Sequence, residues 1–214
     1  MKCIPYINDW IWHENFLKES YYYKFLIEKE LESDPIGVKI SNVGGYQTKD
    51  NLNQKLEYSK LVELIEQQSI QIHQELELIP KVKFTVMNMW GNINWSGNYN
   101  SSHQHTNPPS ENRISSSSVI SGVFYLKMPE NSGKIGFQKH KVDYSNLSLE
   151  PSTVKIPEIF LKNYNNPLLK SSHELDTTEG DLIMFFSDVR HSVSQSHIKN
   201  DRRISISFNL GLEL

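Results

Sequence analysis

At 214 residues, with 22% charged and 11% aromatic side chains, the chain has the make-up of an ordinary folded domain rather than a disordered segment. Its formal net charge of −3 gives no overall pull toward nucleic acid or an anionic membrane. Cys3 is the sole cysteine, which excludes an intramolecular disulfide and any thiolate metal cluster.

The first residues, Met1-Lys2-Cys3-Ile4-Pro5-Tyr6, lack the apolar run of a secretory signal. No apolar stretch approaches the roughly 18 residues of a membrane span. A reducing cytoplasm is the expected setting, without a membrane partner and with a homo-oligomer left open.

Two helices are expected first. From about Glu14 to Glu32, Phe16, Leu17, Phe25, Leu26 and Leu31 recur among Lys and Glu. Ser41-Asn42-Val43-Gly44-Gly45-Tyr46-Gln47 reads as a turn or loop. From about Asn53 to Leu78, Leu61, Leu64, Ile65, Ile72 and Leu76 form a helical stripe that should pack on a sheet, and Pro80 ends it.

Beyond Pro80 the period becomes strand-like. Lys81–Trp90 places Val82, Phe84 and Val86 on one face, and Val119–Met128 is rich in β-branched and aromatic residues. Further strands are expected at Lys134–Gln138, Asp181–Phe186, Val189–Ser194 and Arg203–Leu212, with turn-forming clusters between them. A polar, proline-containing stretch from about 139 to 172 reads as one long loop. The whole chain, 1–214, is expected to be a single domain: a helical support region over 1–80 and an antiparallel double-sheet, jelly-roll core over 81–214.

Candidate chemistry lies in the second half. His103 and His105, two apart on an extended segment, point to the same side, and His191 follows from a distant strand. Imidazole nitrogens suit Fe, Zn, Cu and Ni, and three protein ligands leave coordination positions open for reaction. His13, His73 and His197 read as surface or structural, while His140 and His173 flank the long loop as further candidates.

In the last strand, Arg203, Ser205 and Ser207 share one face, with Ile204, Ile206 and Phe208 on the other, packed in the core between the sheets. A buried arginine needs an anionic partner. A carboxylate ligand held bidentately by Arg203, with Ser205 as a further donor, meets that need. Arg202 has the opposite parity and marks the strand edge.

These residues resemble a known family. Asn92-Ile93-Asn94, Gly97, Asn98, His103-x-His105, Ser121-Gly122-Val123-Phe124-Tyr125-Leu126, Ser132-Gly133, Gly180-Asp181-Leu182-Ile183, His191-Ser192-Val193 and Arg203-Ile204-Ser205-Ile206-Ser207-Phe208-Asn209 look like the 2-oxoglutarate- and Fe(II)-dependent oxygenases common in marine bacteria and their phages. The resemblance implies a double-stranded β-helix fold, a jelly-roll, cupin-like barrel flanked by two helices.

It further implies a dioxygenase using Fe(II), 2-oxoglutarate and O2. Such an enzyme hydroxylates a C–H bond of a peptidyl residue or small metabolite and releases succinate and CO2. His103 or His105 takes the first metal position and His191 the distal one; either both members of the pair bind, making a three-histidine set of His103, His105 and His191, or one binds and the other supports it. Arg203 with Ser205 takes the far carboxylate of 2-oxoglutarate. Tyr125 and Asn94, with Asn98 and Asn100, become either pocket residues and partners of the metal-bound imidazoles or groups that hydrogen-bond the strand ends. A bacterial cell or a phage-infected host follows as the setting.

Two departures stand out. The wider superfamily has His-x-Asp/Glu where this chain has His103-x-His105, and relatives carry Asp-Pro-Arg where Phe137-Gln138-Lys139-His140 stands. Two other readings compete: a non-catalytic cupin-like barrel binding a metal or small anion, and an iron dioxygenase that does not use 2-oxoglutarate. Neither requires an inward arginine on the last strand. The loops 95–118 and 139–172 are expected to choose the substrate.

Overall fold

The computed structural model describes residues 11–105, 118–138 and 172–214. In chain order the elements are β1 (Ile11–Asn15), α1 (Leu17–Ser33), β2 (Asn42–Val43), β3 (Tyr46–Gln47), α2 (Ser59–Glu75), β4 (Lys83–Asn94), β5 (Tyr99–His103), β6 (Ile120–Lys127), β7 (Ile135–Gln138), β8 (Ser172–Leu175), β9 (Asp181–Phe186), β10 (His191–Val193) and β11 (Arg203–Glu213). They form a six-stranded sheet, β1-β9-β6-β11-β4-β3, facing a five-stranded sheet, β2-β5-β10-β7-β8. With two helices against the larger sheet, this is the double-stranded β-helix barrel expected from the residues.

The main core lies in one place the strand parity did not foretell. Ile204, Ile206 and Phe208 were expected between the two sheets. They instead face outward from β11 and pack with Ile27 of α1 and Leu61 and Ile65 of α2, so the principal apolar layer lies between the larger sheet and the helices. Among the described residues, the barrel interior holds a smaller apolar cluster, including Val123, Tyr125, Phe137, Ile183 and Phe185. Both faces of a sheet covered by helices on one side must be lined, and here the apolar residues of β11 serve the helix side. That leaves the other face of β11 free to carry polar groups inward.

Other boundaries shift for local reasons. The first helix begins at Leu17, because Ile11–Asn15 is drawn into an edge strand on β9, with Asn15 opposite Asp181. The second begins at Ser59 rather than near Asn53. Asn53 does not cap a helix there; its amide nitrogen donates to the carbonyls of Val86 and Met87, and short 3-10 turns at Leu52–Gln54 and Leu56–Tyr58 bridge the gap. The loop expected at 41–47 contains two two-residue strands, β2 paired with β5 in the smaller sheet and β3 paired with β4 in the larger one. Of the long loop expected at 139–172, residues 139–171, including His140, lie outside the described residues; Ser172 opens β8. No helix among the described residues is long and apolar enough to cross a membrane.

One glycine is dictated by packing. A Cβ on Gly122, in the central strand β6, would lie 2.2 Å from Phe208 Cζ and 2.8 Å from the Ile183 carbonyl oxygen. The bare backbone there leaves room for the Phe208 ring on the neighbouring strand.

Candidate metal and cosubstrate site

Strand pairing brings the histidines together. His103 ends β5 and is the direct cross-strand partner of His191 on β10. His105 lies two residues beyond, its backbone N–H donating to the Ser187 carbonyl at 2.9 Å. Ring centroids are 4.4 Å apart for His103 and His191, and 5.0 Å apart for His105 with either. One ligand-capable nitrogen from each lies within 4.8 Å of the others, the one such cluster of His, Cys, Asp or Glu among the described residues.

The rings are oriented by their Nδ1 atoms. His103 Nδ1 meets the Ser101 carbonyl at 2.7 Å, and His191 Nδ1 meets the Val189 carbonyl at 2.9 Å. His105 Nδ1 meets Asn209 Oδ1 at 2.8 Å. A carbonyl oxygen only accepts, so each Nδ1 carries the proton and each Nε2 presents a lone pair. Burial is the main reason all three titrate below the ordinary histidine value. His105 is held at about 4, with His103 adding to the effect, and His191 at about 3, again with His103 adding. At neutral pH the cluster is therefore a set of neutral imidazoles, the form that binds metal.

Packing fixes the ring planes. Trp90 stacks on His105 at 5.5 Å, and Phe185 meets His191 edge-on at 4.8 Å.

Two cavities meet at the cluster, sharing Trp90, His103 and His105 as walls. The inner one, about 40 Å³, is bounded by Asn92, His191, Arg203, Ser205 and Ser207. The outer one, about 260 Å³, opens past Gln47, Asp50, Met87 and Asn88. Arg203 is 3% exposed, and no carboxylate of the described residues forms an ion pair with it. Its guanidinium sits over the Tyr125 ring at 5.1 Å. Burial pushes the Tyr125 hydroxyl above its ordinary value, against the opposing pull of Arg203.

His105 Nε2 and Arg203 Nε are buried without a hydrogen-bond partner among the described residues. Each such vacancy costs about 1–3 kcal/mol unless a ligand fills it. A cation at the imidazole nitrogens and an anion at the guanidinium are the ligands these atoms fit. Three neutral imidazoles suit a divalent iron ion, and an unpaired buried guanidinium suits a carboxylate.

The other sequence candidates fall around this centre. Ser205 lines the inner cavity, as does Asn100. Tyr125 lies beneath Arg203. Asn94 does not line either cavity; its amide nitrogen donates across the sheets to Asn100 Oδ1 at 3.5 Å. Asn98 Oδ1 accepts from the Trp95 N–H at 2.8 Å and shapes the β4–β5 turn. Arg202 does more than mark an edge: its Nη2 donates to Glu28 Oε1 at 2.6 Å and ties β11 to α1. The backbone of His173 pairs with Phe137 on β7. The contributions of Trp90 and Asn209, and of Ser121, whose Oγ donates to Asn209 Oδ1 at 2.7 Å, were not foreseen. Asn209 has the parity of Arg203 along β11, and that alternation was the available signal for its inward placement.

Comparison with known proteins gives the family of the chain. Residues 88–209 match the family model described as "Putative 2OG-Fe(II) oxygenase". The match spans more than half of the chain, and the chain belongs to that family: it is an oxygenase whose cofactors are Fe(II) and 2-oxoglutarate. No curated protein sequence matches it.

Among solved structures, it is similar to the carbocyclase SnoK of nogalamycin biosynthesis (TM-score 0.63, 12% identity, covering 94% of this chain and 79% of that one). It is also similar to a Pseudomonas putida prolyl-4-hydroxylase (0.58, 13%, 94% and 91%). A third is HygX from Streptomyces hygroscopicus, with nickel, 2-oxoglutarate and hygromycin B bound (0.60, 9%, 94% and 82%). At these identities the likeness is one of fold.

Proposed function

We propose that His103, His105 and His191 hold Fe(II) through their Nε2 atoms, and that Arg203 and Ser205 hold the distal carboxylate of 2-oxoglutarate. The observation that carries this reading is the shared location of three convergent imidazole nitrogens and a buried guanidinium with no carboxylate partner among the described residues. When bound, Fe(II) with 2-oxoglutarate supplies the O2 activation and oxidative decarboxylation to succinate and CO2 that drive oxidation of a C–H bond.

The protein's own residues do the positioning. Ser101, Val189 and Asn209 hold the ring protons on Nδ1 and keep each Nε2 free for metal. Arg203 offers a planar fork to a carboxylate, and the Tyr125 ring beneath it limits the fork's rotation. Phe185 and Trp90 shield the imidazoles from bulk water. An all-histidine set adds no negative charge to the ion, so the dianionic cosubstrate supplies the charge balance that a carboxylate ligand gives elsewhere.

The outer cavity is the entry for substrate, which we take to be a peptidyl residue or small metabolite hydroxylated at carbon. The similar structures include both a prolyl hydroxylase and an enzyme with hygromycin B bound, and a test panel should span both kinds. We take residues 1–214 to act as one unit in a bacterial or phage-infected cytoplasm, with the helices bracing the larger sheet.

The first test is anaerobic addition of Fe(II) and 2-oxoglutarate, which should raise a weak visible charge-transfer band. A folded, iron-loaded protein without that band would overturn the cosubstrate assignment. Succinate release against peptides and small metabolites would then identify the substrate class.

A further inference from the structure

A chain of hydrogen bonds runs from His105 out of the site and ends at a surface carboxylate. His105 Nδ1 donates to Asn209 Oδ1 at 2.8 Å. Asn209 Nδ2 donates to Asn88 Oδ1 at 2.9 Å. Asn88 Nδ2 donates to Asp50 Oδ2 at 3.4 Å. Asn88 and Asp50 both line the outer cavity, where Asp50 is exposed.

Each amide in such a chain could in principle be turned round, since its oxygen and nitrogen are nearly alike in shape. The end group removes that freedom. A carboxylate only accepts, so Asn88 must turn its nitrogen to Asp50 and its oxygen to Asn209. Asn209 must then turn its nitrogen to Asn88 and its oxygen to His105, which places the ring proton on Nδ1. Reversal would set Asn88 Oδ1 against the carboxylate and offer an N–H to His105 Nδ1. That would drive the proton to Nε2 and remove the lone pair a metal needs. A side branch agrees in direction: Ser121 Oγ donates to the same Asn209 Oδ1 at 2.7 Å. His103 and His191 need no such device, because backbone carbonyls fix their tautomers.

We propose that Asp50 is a remote positioning residue, whose acceptor-only carboxylate sets the direction of the Asn88–Asn209 relay and thereby holds His105 as an Nε2 ligand. This rests on His105 being the third metal ligand. It also places the rim of the outer cavity in hydrogen-bonded connection with the metal centre, so a polar group seated at Asp50 would be felt by a ligand it does not touch.

The test uses the full chain, metal-free and labelled with ¹⁵N-histidine, because imidazole nitrogen shifts report the tautomer directly. The wild type should show His105 protonated on Nδ1. Asp50→Asn, an exposed change that can both donate and accept, should introduce the Nε2–H form and weaken Co(II) binding by about tenfold, the lower end for outer partners of a ligand. Asp50→Glu should restore both. Asn209→Asp, which keeps an acceptor on His105, should retain the Nδ1–H form, and Asn209→Leu should lose it. An Nε2–H tautomer in the wild type, or unchanged tautomer and Co(II) affinity in Asp50→Asn, would overturn the proposal. Failure of the underlying metal assignment reads differently: Co(II) affinity would then be indifferent to His105→Ala, whatever the tautomer.

Discussion

Arg203 and Tyr125 are inward-facing residues of neighbouring strands, stacked at 5.1 Å, and both are almost wholly shielded from water. The pairing gives the guanidinium an aromatic floor but no counter-charge from the described residues. A cation left in that condition is expensive in the free protein and is repaid only when an anion arrives.

That asymmetry yields a two-sided prediction. Arg203→Met should raise the melting temperature of the metal- and cosubstrate-free protein, since it replaces an uncompensated buried charge with an apolar chain of similar length. The same change should abolish the stabilisation by 2-oxoglutarate, which for the wild type is about 2.7 kcal/mol at a hundredfold excess over Kd. Thermal denaturation with and without 2-oxoglutarate measures both. A destabilised free protein that still responds to 2-oxoglutarate would count against the assignment.

The histidines should separate by substitution. His191→Ala removes the most buried member of the set and should lower metal affinity by at least about a hundredfold, measured by metal titration. His105→Ala should also lose affinity. His105→Asp should recover much of it, because a carboxylate oxygen at that point recreates the two-histidine, one-carboxylate set that Fe(II) accepts.

Acid stability should depend on Asp181. Burial acts most strongly on its carboxyl and pushes the titration up, but hydrogen bonds from Asn15 at 2.8 Å, the Thr178 N–H at 2.6 Å and His13 at 3.0 Å outweigh it and hold the value below the ordinary 3.8. A carboxylate lowered in the folded state contributes stability that is present above its unfolded value and is lost as pH falls through the folded one. Asp181→Asn should therefore cost about 2 kcal/mol at neutral pH and flatten the stability curve below about pH 4. Denaturant titrations at pH 7 and pH 3 would show whether the gap between variant and wild type closes in acid.

Gly122→Ala should be one of the more damaging small substitutions. The added methyl meets the Phe208 ring on one side and has the Ile183 carbonyl within 2.8 Å, so neither can yield without disturbing a central strand. A loss of about 2–3 kcal/mol is expected, or roughly 5–10 °C in melting temperature for a protein of this size.

The strands that place the site were legible because their periodicity is local. The alternation along Arg203–Ser207 foretold which side chains share a face with Arg203, and the His-x-His spacing foretold that two imidazoles share a side. It did not foretell where the apolar face of β11 would pack, because alternation separates two faces without saying which one meets the helices. β1 and β3 were missed because each is held by a partner strand more than by its own residues. The role of Asn209 was hidden for a related reason. Its parity is visible, but its partners are His105 and Asn88, and only the closed barrel brings those three together.

His103 and His191 belong to the smaller sheet, whereas His105 is anchored through Asn209 to the larger one. An ion gripped by all three would act as a rivet through the barrel mouth. Removing it should let the two lips part before either sheet frays, with amide exchange quickening at β5 and β10 while the centre of β11 stays protected.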